Sequence, residues 1–152
     1  MHVRDVMSRD VESIRSTLTA KAAAERMATN GIGYLPVSDH GKLVGIVTDR
    51  DIACRIVAED RDPKTTKVAD IMSKGVAYCF DDDDLAAAVH LLEKNRVRRL
   101  PVLDRKEHLV GILSLSDVAQ HAPQHLTAEI LDAVTRDTPL SVTINPSANI
   151  LR

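Results

Sequence analysis

Residues 43–51 read LVGIVTDRD and residues 109–117 read LVGILSLSD, so one pattern occurs twice in the chain. Upstream of each copy stands Leu-Pro-Val, at 35–37 and again at 100–102. The spacing between these stretches is the same in both copies, apart from one residue inserted near Glu107. Self-similarity of this length indicates an internal duplication, and the chain is therefore expected to contain two copies of one structural unit.

Each copy predicts the element order β-α-β-β-α, which gives the fold class α/β (α+β). A short apolar strand at 11–14 or 76–80 precedes a helix with apolar residues at i, i+3, i+4 and i+7, and Thr19 or Asp84 is its N-cap. A strand with an early proline, a turn, a second apolar strand and a further helix follow. The predicted organisation is a repeat at 1–60, a linker at 61–66, a repeat at 67–122, and a C-terminal helix and tail at 123–152.

The composition of the chain argues against several classes of function. A chain of 152 residues can bury about two-thirds of its unfolded surface, so it needs neither disulfides nor a metal to fold. Lys and Arg number 20 against 22 Asp and Glu, and aromatic residues are 2%, which argues against nucleic-acid binding. No apolar run approaches the ~20 residues of a membrane helix, and no secretory signal opens the chain. We therefore expect a cytoplasmic protein with reduced Cys54 and Cys79.

The motifs of common enzymes and metal sites are missing from the sequence. It contains no phosphate-binding loop of NTPases, no nucleophile elbow and no zinc-protease motif, so we expect no catalytic residues, no required cofactor and no metal. The acidic run 81–84 is interpreted as a loop and helix start, where carboxylates satisfy free N–H groups, rather than as a cation site. His121 and His125 are four residues apart, but Pro123 interrupts the helix that would align them.

Two hydroxyl-x-x-Asp motifs, Thr48 to Asp51 and Ser114 to Asp117, stand where a strand opens into a helix. One interpretation is a ligand site, because free N–H groups and a hydroxyl can hold phosphate and a carboxylate can accept from both hydroxyls of a ribose. The other interpretation is a capping box, in which the acidic residue caps its own helix. Gly45, in the strand before the first motif, and its counterpart Gly111 would allow close approach of a ligand or of a second backbone.

The repeated unit resembles a CBS domain, and the pair resembles a tandem CBS, or Bateman, module over residues 1–122. The resemblance is carried by 35–51 and 97–117, where strand, proline, turn, glycine and hydroxyl-x-x-Asp recur in order. The chain is also similar to small stand-alone bacterial CBS-pair proteins. The resemblance implies a pseudo-two-fold pair with two clefts between the repeats, and these clefts bind AMP, ADP, ATP or S-adenosylmethionine.

The resemblance also implies roles for individual residues. Asp51 and Asp117 would bind ribose, and Thr48 and Ser114 would bind phosphate or the adjacent sugar. Arg98 and Arg99 precede Leu-Pro-Val in the second copy, where a basic pair can reach phosphate. The first copy has Gly33 and Tyr34 at these positions, so the two clefts are expected to differ in affinity.

Two function hypotheses follow for a chain with these features. The first is a regulatory module that senses adenosine-containing nucleotides, forms a homodimer and acts on an unknown protein partner. The alternative is a stress-related interaction protein that acts through its dimer surface and binds no nucleotide. The resemblance implies pairing through helices, and the first helix is rich in small residues that permit close approach: Ala22, Ala23, Ala24 and Ala28.

Overall fold

A computed structural model describes residues 1–135, which form a mixed fold of helices and strands. The helices are α1 (Ala20–Asn30), α2 (Asp49–Asp51), α3 (Val68–Ile71), α4 (Leu85–Asn95), α5 (Leu115–His121) and α6 (Gln124–Thr135). The strands are β1 (Tyr34–Asp39), β2 (Lys42–Thr48), β3 (Cys79–Phe80), β4 (Arg99–Leu103) and β5 (Leu109–Ser114). A 3-10 turn covers Val3–Asp5, and α2 continues as a π-helical segment at Ile52–Val57. The predicted tail, 138–152, lies outside the described residues.

The two long helices α1 and α4 begin at their predicted caps. The side chain of Thr19 accepts a hydrogen bond from the Ala22 N–H at 3.1 Å, and that of Asp84 accepts one from the Ala86 N–H at 2.9 Å. Both satisfy N–H groups that have no partner within the helix. The predicted apolar spacing gives the buried face of each helix: Ala20, Ala23 and Met27 in α1, and Leu85, Ala88, Val89 and Leu92 in α4. Ala24, the predicted i+4 position of α1, is only half-buried.

Two small sheets support these helices. Strands β1 and β2 form an antiparallel pair, and β3, β4 and β5 form a three-stranded sheet in that order. The opening strands are shorter than predicted, since 11–14 contributes only a bridge at Ile14 to Val37, and β3 has two residues. In the first copy the chain leaves the ladder at Ser16, which gives its N–H and its hydroxyl to the carboxylate of Asp39, at 3.0 and 2.6 Å.

The described chain separates into two compact units, and the opening segments of the two repeats are exchanged between them. Among the described residues, the first-repeat unit consists of 12–76 with 107–109, and the second-repeat unit consists of 1–11, 77–106 and 110–135. Val3, Val6 and Met7 are therefore buried in the core of the second-repeat unit. Val68 and Ile71 are buried in the core of the first-repeat unit. The predicted limits 1–60 and 67–122 follow the duplication in the sequence, whereas the packed units do not.

Each exchanged segment is held by a pair of backbone hydrogen bonds. Ser8 exchanges two N–H···O bonds with Ile112 of β5, both 2.9 Å long. Ser73 exchanges two with Ile46 of β2, at 2.8 and 3.0 Å. The repeated Met-Ser dipeptide at 7–8 and 72–73 thus extends a strand of the other repeat.

The predicted C-terminal helix is present as α6. Leu126 and Ile130, two members of its apolar stripe, are buried in the core of the second-repeat unit. The side chains of Leu131 and Val134, the other two members, lie outside those that the structure describes. Within residues 1–135, a helix with the length and apolarity needed to cross a membrane is absent.

Candidate functional site

Both hydroxyl-x-x-Asp motifs form reciprocal capping boxes. In the first, Asp51 Oδ2 accepts from the Thr48 N–H at 2.9 Å and from its hydroxyl at 3.1 Å, while the Asp51 N–H donates to Thr48 Oγ1 at 3.2 Å. In the second, the corresponding distances between Ser114 and Asp117 are 2.9, 2.5 and 3.1 Å. The capping-box interpretation is therefore confirmed. It occupies Oδ2 of each carboxylate and leaves Oδ1 as the acceptor that a ligand hydroxyl could use.

Asp51 is more buried than a helix cap requires. Its exposed fraction is 9%, and burial raises the pKa of its carboxyl group above 3.8, although hydrogen bonds from Thr48 and the charge of Arg55 oppose this shift. Arg55 Nε lies 3.8 Å from Asp51 Oδ1, and the Arg55 guanidinium also donates to the Ile71 carbonyl at 2.7 Å. Ionised Asp51 thus carries a desolvation cost, which is a common property of functional carboxylates.

We expect Asp51→Asn to change how the stability of the protein depends on pH. A folded-state pKa above the unfolded value means that the parent loses stability as pH rises from near 3.8 through the raised pKa. The amide oxygen of Asn can still cap the helix and does not ionise. The thermal stability of the variant, relative to the parent, should therefore be higher at pH 7 than at pH 4.

The matched control for this prediction is Asp117→Asn, which makes the same change in the second capping box. Thermal melting of the parent and both variants at the two pH values provides the measurement. If Asp51→Asn lost more stability, relative to the parent, at pH 7 than at pH 4, burial would not be the factor that sets the pKa of the Asp51 carboxyl group.

The second-repeat unit contains a cleft of ≈ 390 Å³. This volume lies in the range of small-molecule sites, about 300–1,000 Å³. Arg98 and Arg99, at the start of β4, and Ser114, at the end of β5, all line it, so three predicted site residues come together here. The Leu115 N–H donates to the Arg98 carbonyl at 3.1 Å and holds the start of α5 beside β4. The residues that the sequence analysis did not assign to the site are Leu115, Ser116, Ala119, Thr127 and Ile130.

The first-repeat unit repeats one backbone hydrogen bond of this cleft with different side chains around it. The Asp49 N–H donates to the Gly33 carbonyl at 3.0 Å, which matches the bond between Leu115 and Arg98. The carboxylate of Asp49 packs directly on Gly33, where a Cβ would collide with it. Thr48 and Asp51 are next to this place in sequence. Of the six predicted site residues, Arg98, Arg99, Ser114 and Asp117 belong to the second-repeat unit, and Thr48 and Asp51 belong to the first-repeat unit.

Carboxylates of the acidic run 81–84 form bonds within the fold. Arg105 Nη2 pairs with Asp82 Oδ1 at 2.7 Å and with Asp83 Oδ1 at 3.2 Å, while the guanidinium lies 4.1 Å from the centroid of the Phe80 ring. Asp83 Oδ2 accepts from the Phe80 N–H at 2.9 Å, and Asp84 caps α4. These bonds confirm the interpretation of 81–84 as a loop and helix start.

The histidine pair and the cysteines show no arrangement for metal or nucleophilic chemistry. His121 ends α5 and His125 lies in α6, with Pro123 between the two helices as expected. Among residues 1–135, no group of three or more His, Cys, Asp or Glu side chains is placed to hold a metal ion. Cys54 is exposed, and burial raises the pKa of the Cys79 thiol to about 12, so this thiol stays protonated.

Comparison with known proteins decides the family. The family model for the CBS domain matches residues 3–58 and 68–123. This chain belongs to the CBS-domain family. The chain is 32% identical to hypoxic response protein 1 of Mycobacterium tuberculosis over 132 residues, which cover 86% of this chain and 92% of that protein.

Two solved CBS structures are similar to the fold described above. A crystal structure of hypoxic response protein I with two coordinated zinc ions has a TM-score of 0.74 and 32% identity, covering 81% of this chain and all of that one. The CBS domain pair of protein MJ0100 in complex with 5′-methylthioadenosine and S-adenosyl-L-methionine has a TM-score of 0.69 and 28% identity, covering 79% and 94%. The MJ0100 structure shows that a CBS pair of this similarity binds adenosine-containing molecules.

Proposed function

We propose that this protein is a regulatory module that binds an adenosine-containing ligand, AMP, ADP, ATP or S-adenosylmethionine, and catalyses no reaction. One observation carries the proposal, the cleft of ≈ 390 Å³ that Arg98, Arg99 and Ser114 line in the second-repeat unit. A cleft of this size with a few polar groups is typical of a site for a small molecule. The adenosine ligands of the MJ0100 pair support the choice of ligand class.

The capping boxes refine the roles proposed for single residues. In both boxes the hydroxyl of Thr48 or Ser114 is bonded to the aspartate, so its proton is engaged. We therefore assign ribose to the Oδ1 atoms of Asp51 and Asp117, which the capping boxes do not use; at Asp51 the ribose hydroxyl would share Oδ1 with Arg55. Phosphate contacts fall first to Arg98 and Arg99. Thr48 and Ser114 would reach a phosphate or the adjacent sugar only by turning the hydroxyl away from the carboxylate.

The cellular setting of this function is also a proposal. We place the protein in the cytoplasm as a homodimer with an unknown protein partner, and the likeness to hypoxic response protein 1 supports a role in stress response. In α1, Ala23 is buried in the core, whereas Ala28 is exposed. The small residues of α1 could therefore contribute to a dimer contact only on the side of the helix that carries Ala28.

Thermal melting with adenosine, AMP, ATP and S-adenosylmethionine tests the proposed function. A ligand at 100 times its Kd stabilises the folded state by about 2.7 kcal/mol, which corresponds to a rise of roughly 5–10 °C for a chain of this length. Ribose 5-phosphate is the control for ligands that lack adenine and is expected to give a smaller rise.

Four variants then assign the contacts. Arg98→Ala and Arg99→Ala are expected to weaken ATP binding more than adenosine binding, because only phosphate meets a guanidinium group. Asp51→Ala and Asp117→Ala should weaken both ligands and should also cost about 0.5–2 kcal/mol of stability through the lost cap. If no adenosine ligand changes the melting temperature of the parent, the interaction-protein alternative replaces this proposal.

A further inference from the structure

The carboxylate of Asp51, to which we assign ribose in the first-repeat unit, lies beside an arginine that does not bond to it directly. Arg55 is one helical turn away, and its Nε atom is 3.8 Å from Asp51 Oδ1. An N–H···O hydrogen bond measures about 2.7–3.2 Å, so this contact is an ion pair without a hydrogen bond. An arginine and a carboxylate four residues apart on a helix can pair more closely than this. Another contact must therefore hold the guanidinium away from Oδ1.

Two backbone carbonyls hold the Arg55 guanidinium in this position. Its Nη1 atom donates to the Ile71 carbonyl at 2.7 Å and to the Met72 carbonyl at 3.3 Å, where α3 ends. Carbonyls at the end of a helix have no partner within the helix, which makes them good acceptors for a cation. The next residue, Ser73, is bonded to Ile46 of β2 through both its N–H and its C=O. The position of the guanidinium therefore depends on the docking of this segment on β2.

Docking and detachment of residues 71–73 give Asp51 different surroundings. With the segment docked, the capping box uses Oδ2, and Arg55 at 3.8 Å leaves lone pairs of Oδ1 open to a hydroxyl donor. With the segment detached, the guanidinium loses both carbonyls, and the carboxylate of Asp51 is the charged acceptor beside it. A direct pair would then cover Oδ1. A ligand shifts an equilibrium only through different affinities for the two states, and the covering of Oδ1 supplies that difference.

The second copy has a different residue at the position of Arg55. The alignment of 43–51 with 109–117 places His121 there. Its ring is exposed, and Nδ1 lies 3.0 Å from the backbone carbonyl oxygen of Asp117, one turn earlier in the same helix. The arrangement around Asp51 is therefore a property of the first-repeat unit and does not follow from the duplication.

We propose that the opening segment of the second repeat controls the ribose site at Asp51, and that Arg55 is the positioning residue that transmits this control. When residues 71–73 are docked on β2, Arg55 is held off Asp51 and the site accepts a ribose. When they detach, Arg55 closes the site. Ligand binding and docking therefore favour each other, by the same factor in both directions. This inference rests on the proposed function and adds to it the regulation of one site.

An NMR titration of the Asp51 carboxyl carbon tests the inference without a ligand. Two variants loosen the docked segment in opposite ways. Gly45→Ala brings a Cβ to 2.7 Å from the Ser73 carbonyl oxygen, and Met72→Ala removes a half-buried side chain that packs on the first-repeat core. In each variant we expect the pKa of the Asp51 carboxyl group to fall, because Arg55 then pairs with it directly.

The same titrations combined with Arg55→Gln separate this pairing from a simpler effect. Loosening the segment also lets water reach the carboxylate, which lowers its pKa whether or not Arg55 is present. The fall should therefore be larger with Arg55 than in the Arg55→Gln background. Arg50→Gln is the matched control, because it removes an exposed cation that lowers the pKa of Asp51 less than Arg55 does. In that background the full fall should remain.

Adenosine titrations followed at the same carboxyl signal measure the coupling to the ligand. We expect Gly45→Ala and Met72→Ala each to weaken adenosine binding at Asp51 by about fivefold or more, and by at most about twofold when Arg55→Gln is already present. Gly111→Ala makes the corresponding change in the second-repeat unit and should leave the Kd at Asp51 unchanged. Thermal melting identifies a variant that fails to fold, and the other variant then provides the test.

The outcomes separate this inference from the proposed function. If adenosine binds at Asp51 in the parent, but loosening the segment changes the pKa and the affinity equally with and without Arg55→Gln, the inference is overturned and the proposed function stands. A parent that binds no adenosine ligand overturns the proposed function and, with it, the control of a ribose site.

Discussion

Residues 1–64 expressed alone are expected to show no cooperative thermal unfolding, although they contain the whole first repeat of the sequence. The first-repeat core includes Val68 and Ile71, both fully buried, and the cut removes them. Burying two aliphatic side chains stabilises a fold by about 3–6 kcal/mol. That loss is comparable with the whole stability of a small domain, roughly 5–15 kcal/mol. The cut also removes Ser73, which pairs with Ile46 of β2.

The control is the fragment 12–76, which is nearly the same length but follows the packed unit instead of the repeat. It retains Val68, Ile71 and Ser73 and omits 1–11, which belongs to the other unit. We expect more helical signal and more cooperative melting by circular dichroism from 12–76 than from 1–64. Cooperative melting of 1–64, with none in 12–76, would contradict the exchange of opening segments.

Gly45→Ala is expected to cost about 2–3 kcal/mol of stability, a large effect for one added methyl group. A Cβ at this position would lie 2.7 Å from the Ser73 carbonyl oxygen and 2.8 Å from the sulfur of Met72. The carbonyl cannot move freely, because the Ser73 backbone is bonded to Ile46 on both its N–H and its C=O. The expected fall in melting temperature is about 4–12 °C.

Gly111→Ala makes the same change at the corresponding position of the second-repeat unit and is the matched comparison. A Cβ there would meet the sulfur of Met7 at 2.6 Å, while the Ser8 carbonyl lies farther away, at 3.0 Å. A thioether can turn aside more easily than a bonded backbone, so the loss should be smaller than at Gly45. Denaturant unfolding of both variants measures the difference. If Gly45→Ala unfolded like the parent, the close approach of the Ser73 backbone would not restrict the side chain at position 45.

Much of the candidate site could be predicted from sequence, because its signals are local. The spacing of Thr48 and Asp51 and of Ser114 and Asp117 indicates either a cap or a ligand contact. The structure shows that the cap forms in both motifs. It also shows that the cap uses Oδ2 of each aspartate and leaves Oδ1 outside the capping box. Thr127 and Ile130 line the cleft from α6, and nothing local in the sequence connects that helix to β4. Such a contact depends on packing between elements that are distant in the chain.

The sequence by itself determined the duplication, the order of elements in each copy, the caps at Thr19 and Asp84, and the break at Pro123. These features depend on neighbours within a few residues, where the hydrogen-bonding and φ preferences of the side chains act directly. Tertiary structure alone decided which segments share a core. The openings of both repeats are apolar, and a sequence pattern cannot say that Val3 packs with the second-repeat unit and Val68 with the first. The same packing decided that Gly45 and Gly111 face a second backbone rather than a ligand.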